Sequence, residues 1–208
     1  MSPLLNLPFA PVVHPGLEGI FNLLLSWAAL FGGFLSDERE EKKNTMPMLP
    51  TVIGMQFLTS AFLLPYLATR ESEDAESLIE PITTEKLNTV AKAFESKLIG
   101  PFLGFVGGFS MYWGLFGRSE FGSIDERFHT LVDLLSIDRV GSSFIIDLII
   151  FALFQGWLVD DDLRRRGIPD GEMSELRFIA KFVPFFGTAI YLFARPSYNN
   201  DQSQEYEI

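Results

Sequence analysis

The chain contains no cysteine, which excludes disulfide staples, thiolate catalysis and cysteine-ligated zinc or iron–sulfur centres. Histidine is almost missing: His14 and His129 are the whole supply, too few for a histidine-rich metal centre. Basic residues are scarce, 16 Lys and Arg against 27 Asp and Glu with a formal net charge of -11. Without a basic face to neutralise phosphates, nucleic acid is not an expected partner. The opening MSPLLNLPFAPVVHPGLEG has no Lys or Arg and four prolines. It therefore reads neither as a secretory signal nor as a transit peptide, and the expectation is either a mature form or insertion by the first span. No GxSxG, HExxH or Walker loop occurs, so no nucleophile, zinc or nucleotide chemistry is indicated. No internal repeat is visible, which counts against inverted-repeat transporters.

What the chain does have is apolar sequence in long blocks: 48% hydrophobic residues, 21 of them Phe, in 208 residues. The organising stretch is SSFIIDLIIFALFQGWLVDDDLRRRG, residues 142 to 167. Its apolar side chains cover every face of a helix, unlike a soluble amphipathic helix. From Ser142 to Val159 the rise is about 27 Å, close to the hydrocarbon core of a bilayer. Beyond it Asp160/Arg164, Asp161/Arg165 and Asp162/Arg166 form three successive i,i+4 pairs in the favourable order. The helix is thus expected to leave the bilayer still helical and to stop at Gly167. Similar blocks predict spans at 17–35, 49–68, 98–116, 142–159 and 176–194. Stripes at i, i+3, i+4, i+7 predict two interfacial helices, one through Leu87, Val90, Ala91 and Phe94, the other through Phe128, Leu131, Val132 and Leu135. The fold class expected is all-α: a polytopic membrane bundle of five transmembrane helices plus two interfacial amphipathic helices. It forms one membrane domain over 1–195, followed by an acidic disordered tail, 196–208. Pro184 and Gly187 predict a kink in the fifth span. Lys and Arg divide seven to eight between the two faces of a five-span topology, so the positive-inside rule selects no orientation.

The candidate residues follow from these placements. Gly100, Gly104 and Gly108 repeat every four residues and predict close helix packing, with a pore or pigment contact as the functional alternative. Intramembrane ionisable residues are functional candidates, here Asp147, Lys181 and Glu18. If spans four and five are antiparallel, Arg195 finishes near Asp147 and neutralises it, while Lys181 reaches toward the Asp160, Asp161, Asp162, Arg164, Arg165, Arg166 cluster. The three aspartates could hold Mg²⁺ or Ca²⁺, but consecutive helical residues point about 100° apart and do not converge on one ion. No metal site is expected. His14 could ligate a chlorophyll or haem at the interface; a lone histidine beside prolines is more often a turn residue.

Three segments are familiar together: HPGLEGIFNLLLSWAALFGGFLSDER, IGMQFLTSAFLLPYLATRE, and FIIDLIIFALFQGWLVDDDLRRRG followed by VPFFGTAIYLFARP. They resemble an uncharacterised integral-membrane family of cyanobacteria and plastids, whose C-terminal half looks like small membrane domains of unknown function. The resemblance implies a photosynthetic membrane or plastid envelope and brings no catalytic residues. The expected function is non-enzymatic: an accessory or assembly subunit of a larger membrane complex, such as a photosystem or antenna complex, with chlorophyll or carotenoid the cofactors to consider. The alternatives are a small-solute or ion carrier using Asp147, Gln155 and Gln56, and a lipid or isoprenoid enzyme with the aspartate run as its metal site.

Overall fold

The computed structural model describes residues 12–36, 47–69, 87, 89–169 and 171–197. The acidic segments 37–41 and 71–85 and all but the start of the expected tail lie outside them. The described residues contain helices and no strand. Four helices are long and apolar enough to cross a membrane, and three of them run through the bundle. Helix α1 (Pro15–Leu35) starts at the proximal end, capped by His14 with Pro15 in the first turn, and finishes at the distal end. Helix α4 (Ile99–Phe116) returns: Gly100 lies under Ala189 near the distal end, and Gly19 of α1 meets Ser110 and Gly114 near the proximal one. Helix α6 (Arg139–Arg165) runs parallel to α1, with Leu17 near Gly141, Phe21 against Phe144 and Phe31 against Phe151. Asp138 caps its start, and the chain leaves it at Gly167 in the left-handed conformation, φ 71°.

The remaining apolar elements turn back inside the bundle. Helix α2 (Met48–Thr69) departs from helical geometry at Leu58 (φ -132°, ψ 28°) and Thr59 (φ 29°, ψ -108°). The ring of Phe62 packs on Gly54. Residues eight apart in a straight helix are separated by about 12 Å along the axis, so this contact requires two arms folded against each other. Both arms lie beside the distal turn of α1: Val52 is near Gly32, and Tyr66 Oη donates to the Leu35 carbonyl at 3.4 Å. The break falls seven residues before Pro65, which the second arm carries within its helix.

The fifth expected span is a second hairpin. Helix α7 (Ser174–Phe182) descends from the distal end along α6, the chain reverses at Val183, Pro184 and Phe185, and α8 (Phe186–Ala194) climbs back. Gly187 packs on the backbone of Ile179 and Ala180, as two close antiparallel arms require. The expected kink is a full reversal, because nine-residue arms cover only about 14 Å each. Consequently α8 is parallel to α6, where the sequence reading had spans four and five antiparallel.

The interfacial elements also differ from expectation. Helix α3 (Thr89–Phe94) is only one and a half turns long, with Ala91 buried and the Phe94 ring over Gly32. Helix α5 (Ile124–Ile137) begins with a Ser123/Glu126 capping box. Its apolar stripe is divided: Leu131 reaches Gly16 and Leu135 reaches Gly141, whereas Phe128 and Val132 are exposed.

The core lies where α1, α6, α8 and the α2 arms meet, around Trp27, Phe31, Phe34, Phe151 and Tyr191. Edge-on rings join Trp27 to Phe151 and Phe185, and Phe34 stacks on Tyr191 at 5.6 Å. The glycines of α4 act unequally. A side chain at Gly100 would run into the Ala189 carbonyl, at Gly104 it would press on the Ala189 methyl at 3.2 Å, and at Gly108 it would have ordinary contact with the Phe186 ring at 3.6 Å.

With both hairpins opening at the distal end, the connections 37–46 and 70–86 join helix ends on that side. Among the described residues Lys92, Lys97, Arg164, Arg165, Arg166, Arg177 and Arg195 lie toward the distal end, and Arg118, Arg127 and Arg139 toward the proximal one. Pro47→Cys and Thr69→Cys, each the single thiol of its variant, are expected to react with a membrane-impermeant maleimide from one and the same side of the membrane. Asp125→Cys should react from the other. Labelling of Pro47→Cys and Thr69→Cys from opposite sides would mean that α2 crosses.

Candidate functional site

Polar side chains enter the apolar bundle at three levels. At the distal end Asp162, Arg166, Glu95 and Arg195 close a ring of alternating charge. Arg166 Nε donates to Asp162 Oδ2 at 2.8 Å and its Nη2 to Glu95 Oε1 at 2.7 Å. Arg195 Nη2 donates to the same Glu95 oxygen at 2.6 Å, and its Nη1 lies 3.4 Å from Asp162 Oδ2. Tyr191 Oη adds a bond to Asp162 Oδ2 at 2.7 Å. Three of the four charged side chains are 1–2% exposed and Glu95 is 15% exposed. Two acids and two arginines cancel, so no net charge is carried into the bundle. The guanidinium forks also take up carbonyls where helices end: Arg195 bonds Gly33 and Phe94, and Arg166 bonds Pro196. One ring therefore ties α1, the α3–α4 corner, α6 and α8 together.

This arrangement replaces the expected Asp147–Arg195 pair. Arg195 ends the returning arm of a hairpin, level with Asp162, and fifteen helical residues separate Asp162 from Asp147, about 22 Å. The expected run of three i,i+4 pairs is likewise modified. Asp161/Arg165 and Asp162/Arg166 form at 2.9 and 2.8 Å. Asp160 instead accepts Lys181 Nζ at 2.5 Å and lies 3.6 Å from Arg177, while Arg164 is exposed. The descending arm of the hairpin brings two cations closer to Asp160 than its own helix does. Among the described residues, no three His, Asp or Glu side chains are grouped to hold a metal ion.

At mid-height Gln155, fully buried, holds the α7–α8 tip. Its Nε2 donates to the Lys181 and Val183 carbonyls at 3.1 Å each, and its Oε1 accepts from Phe185 N–H at 3.3 Å and Thr188 Oγ1 at 3.0 Å. A reversal within an apolar interior leaves backbone groups without partners, and one amide supplies both kinds. Deeper toward the proximal end, Asp147 accepts from Thr59 Oγ1 and Ser60 Oγ at the break in α2. It is 8% exposed, and no cationic side chain among the described residues pairs with it.

The proximal end is held by Glu18, His14 and Arg127. Glu18 accepts from Trp113 Nε1 and Arg118 Nη2, both at 2.9 Å. Buried Arg127 donates to the carbonyls of Gly117, Arg118 and Gly122 and so shapes the α4–α5 turn. His14 Nδ1 accepts from Gly16 N–H at 3.0 Å, which leaves the ring proton on Nε2 for Thr130 Oγ1, also at 3.0 Å. Both ring nitrogens are thus engaged, and His14 has none to offer a pigment metal. Burial, seconded by the charge of Arg127, holds its pKa below the usual 6.5. Because the unfolded chain binds the proton more readily, this contribution to stability is complete above pH 6.5 and is lost as pH falls through that value toward the lowered pKa. Acidification from about pH 7.5 to about 5.5 is expected to lower the thermal unfolding midpoint of the purified protein. In His14→Asn, which keeps a capping acceptor without the titration, the fall should be smaller; identical falls would exclude His14 as its source.

Glu95, Arg118, Arg127 and Tyr191 carry this polar framework without having stood out in the sequence. Glu95, Arg118 and Tyr191 bond acidic or basic groups 29 to 100 positions away, which no local pattern announces, whereas Arg127 bonds carbonyls 5 to 10 residues before it. Four helices of membrane-spanning length and composition, one of them broken at Leu58 and Thr59, describe a helical bundle of the membrane-protein class. No family model, curated protein or solved structure matches the chain.

Proposed function

We propose that the protein is a non-enzymatic accessory or assembly subunit that docks into a larger membrane complex through the outward face of α4. The observation that carries this reading is a ladder of exposed aromatic rings. Phe105, Phe109, Tyr112 and Phe116 follow one another at centroid spacings of 6.3, 6.3 and 5.1 Å, and Phe105 is 71% exposed. The outward face of α6 is chiefly aliphatic by contrast, with Ile146, Ile149 and Leu153 exposed, as contact with lipid tails requires no more. Large flat side chains suit a second protein surface or a conjugated ring system, because they give much contact at little cost in rotamer freedom. The inner face of α4 is already occupied through Gly100 and Gly104 against α8 and through Ser110 and Gly114 against α1.

The resemblance to cyanobacterial and plastid proteins is the support for a photosynthetic complex. A chlorophyll or carotenoid in this reading lies against the ladder by stacking. The carrier reading draws support from the two re-entrant hairpins, since broken helices are the usual frame of midplane sites. Its expected residues are separated, however: Gln155 is consumed at one tip and Asp147 stands at the other, about 12 Å away along α6.

The test is native-gel migration of membranes solubilised in mild detergent. Wild-type protein should migrate within a larger assembly. The Phe105→Leu/Phe109→Leu variant should accumulate equally and migrate alone. Wild-type protein that migrates alone, or a variant that stays in the assembly, would overturn the docking reading.

A further inference from the structure

We propose that the break in α2 and Asp147 together form a binding site for a small monovalent cation of the sodium class. Three kinds of hard oxygen are brought to one place. The first is the Asp147 carboxylate, 8% exposed and held from both sides by Thr59 Oγ1 and Ser60 Oγ. The second is that pair of hydroxyl oxygens, each with lone pairs beyond the proton it donates. The third is main chain. The first arm of α2 ends at Leu58 and Thr59, whose torsion angles lie outside the helix, and the last carbonyls of a helix have no donor within it. The negative end of that arm's dipole points at the same spot.

A further polar group stands on the same arm. Gln56, on the turn before the break, has a buried Nε2 without a hydrogen-bond partner among the described residues. The two ends of a side-chain amide are interchangeable by a half-turn, which would present the carbonyl oxygen instead. Charge selects the class of ion. Asp147 brings one negative charge with no cationic side chain beside it among the described residues, so a monovalent ion neutralises the site, whereas a divalent ion would leave an excess positive charge in a low-dielectric interior. Oxygen-only ligation favours a hard cation over a transition metal. This site is independent of the docking surface on α4, which faces outward from another helix.

The experiment uses the full-length protein in detergent micelles, with thermal unfolding followed in sodium, lithium and choline chloride at equal ionic strength. Sodium should raise the midpoint along a saturating curve, and choline should not. Asp147→Asn should abolish the response, and Ser60→Ala should raise the half-saturating sodium concentration several-fold. Equal responses to sodium and choline would overturn the proposal, as would a sodium response that survives in Asp147→Asn. Asp147 would then serve only as a cap for the second arm of α2. Should Asp147→Asn fail to accumulate, Ser60→Ala decides: an unchanged half-saturating concentration refutes the site.

Discussion

Arg195→Ala is expected to destabilise the protein by about 3–5 kcal/mol, the range for removing one partner from a buried ion pair. The loss exceeds that of a single contact. Arg195 is 2% exposed and supplies donors to Asp162, Glu95, the Gly33 carbonyl and the Phe94 carbonyl. Its removal leaves two carboxylates facing one remaining guanidinium, that of Arg166, and takes a donor from two helix-end carbonyls, that of Phe94 and that of Gly33, which keeps only a 3.4 Å bond from Ser36 Oγ. Arg195→Lys keeps the charge but cannot span four acceptors with a compact ammonium, so its loss should be intermediate. Asp147→Asn, far from the ring, should accumulate better than Arg195→Ala. Thermal unfolding and steady-state accumulation in membranes check the series. An Arg195→Ala protein as stable as Asp147→Asn would show that the ring is not what joins α8 to α1 and α6.

Gln155→Leu is the second large effect. Leucine fits the volume and the surroundings yet leaves the Phe185 N–H, the Lys181 carbonyl and the Thr188 hydroxyl without the partner they share, while the Val183 carbonyl keeps only the Gly187 N–H at 2.9 Å. Each unsatisfied buried group costs about 1–3 kcal/mol. The tip cannot easily relax, because Phe185 already sits at a positive φ of 61°, a conformation that disfavours side-chain-bearing residues. The expected result is opening of the α7–α8 hairpin, read as faster proteolysis near residues 171–185 and a lower unfolding midpoint. Gln155→Glu keeps two acceptor oxygens and loses both donors, so it should fall between. Wild-type resistance in Gln155→Leu would assign the tip's stability to the Trp27–Phe185 contact instead.

The two variants probe features that the sequence reading approached from the wrong side. Asp147, Gln155 and Arg195 stood out there as polar residues in apolar blocks, but their partners did not. Asp147 bonds residues 87 and 88 positions away, and Arg195 reaches one 162 positions away. Pairing Asp147 with Arg195 followed from supposing that 176–194 crosses the membrane. Once that segment doubles back, Arg195 lies at the level of Asp162, and the charge of Asp147 is left facing hydroxyls. His14 shows the reverse case. A turn residue beside prolines was one of its two readings, and its ring caps α1 through Gly16 N–H.

By itself the sequence determined the properties that depend on neighbours along the chain. These are the all-helical class, the apolar lengths that suit a bilayer, the start of α1 at Pro15, the halt after α6 at Gly167 and the Asp161/Arg165 and Asp162/Arg166 pairs. Caps, periodicity and i,i+4 spacing act within a few residues, so they can be read one segment at a time. Only the tertiary structure decided whether an apolar block crosses or returns. A stretch of about twenty apolar residues satisfies the length of the hydrocarbon core as one straight helix, and two half-length arms bury the same side chains equally well. The choice rests on whether distant groups can satisfy the backbone exposed at a reversal, as Gln155 does at Val183 and Phe185. That choice also sets which charges share an end of the bundle, and hence the ring and the isolation of Asp147.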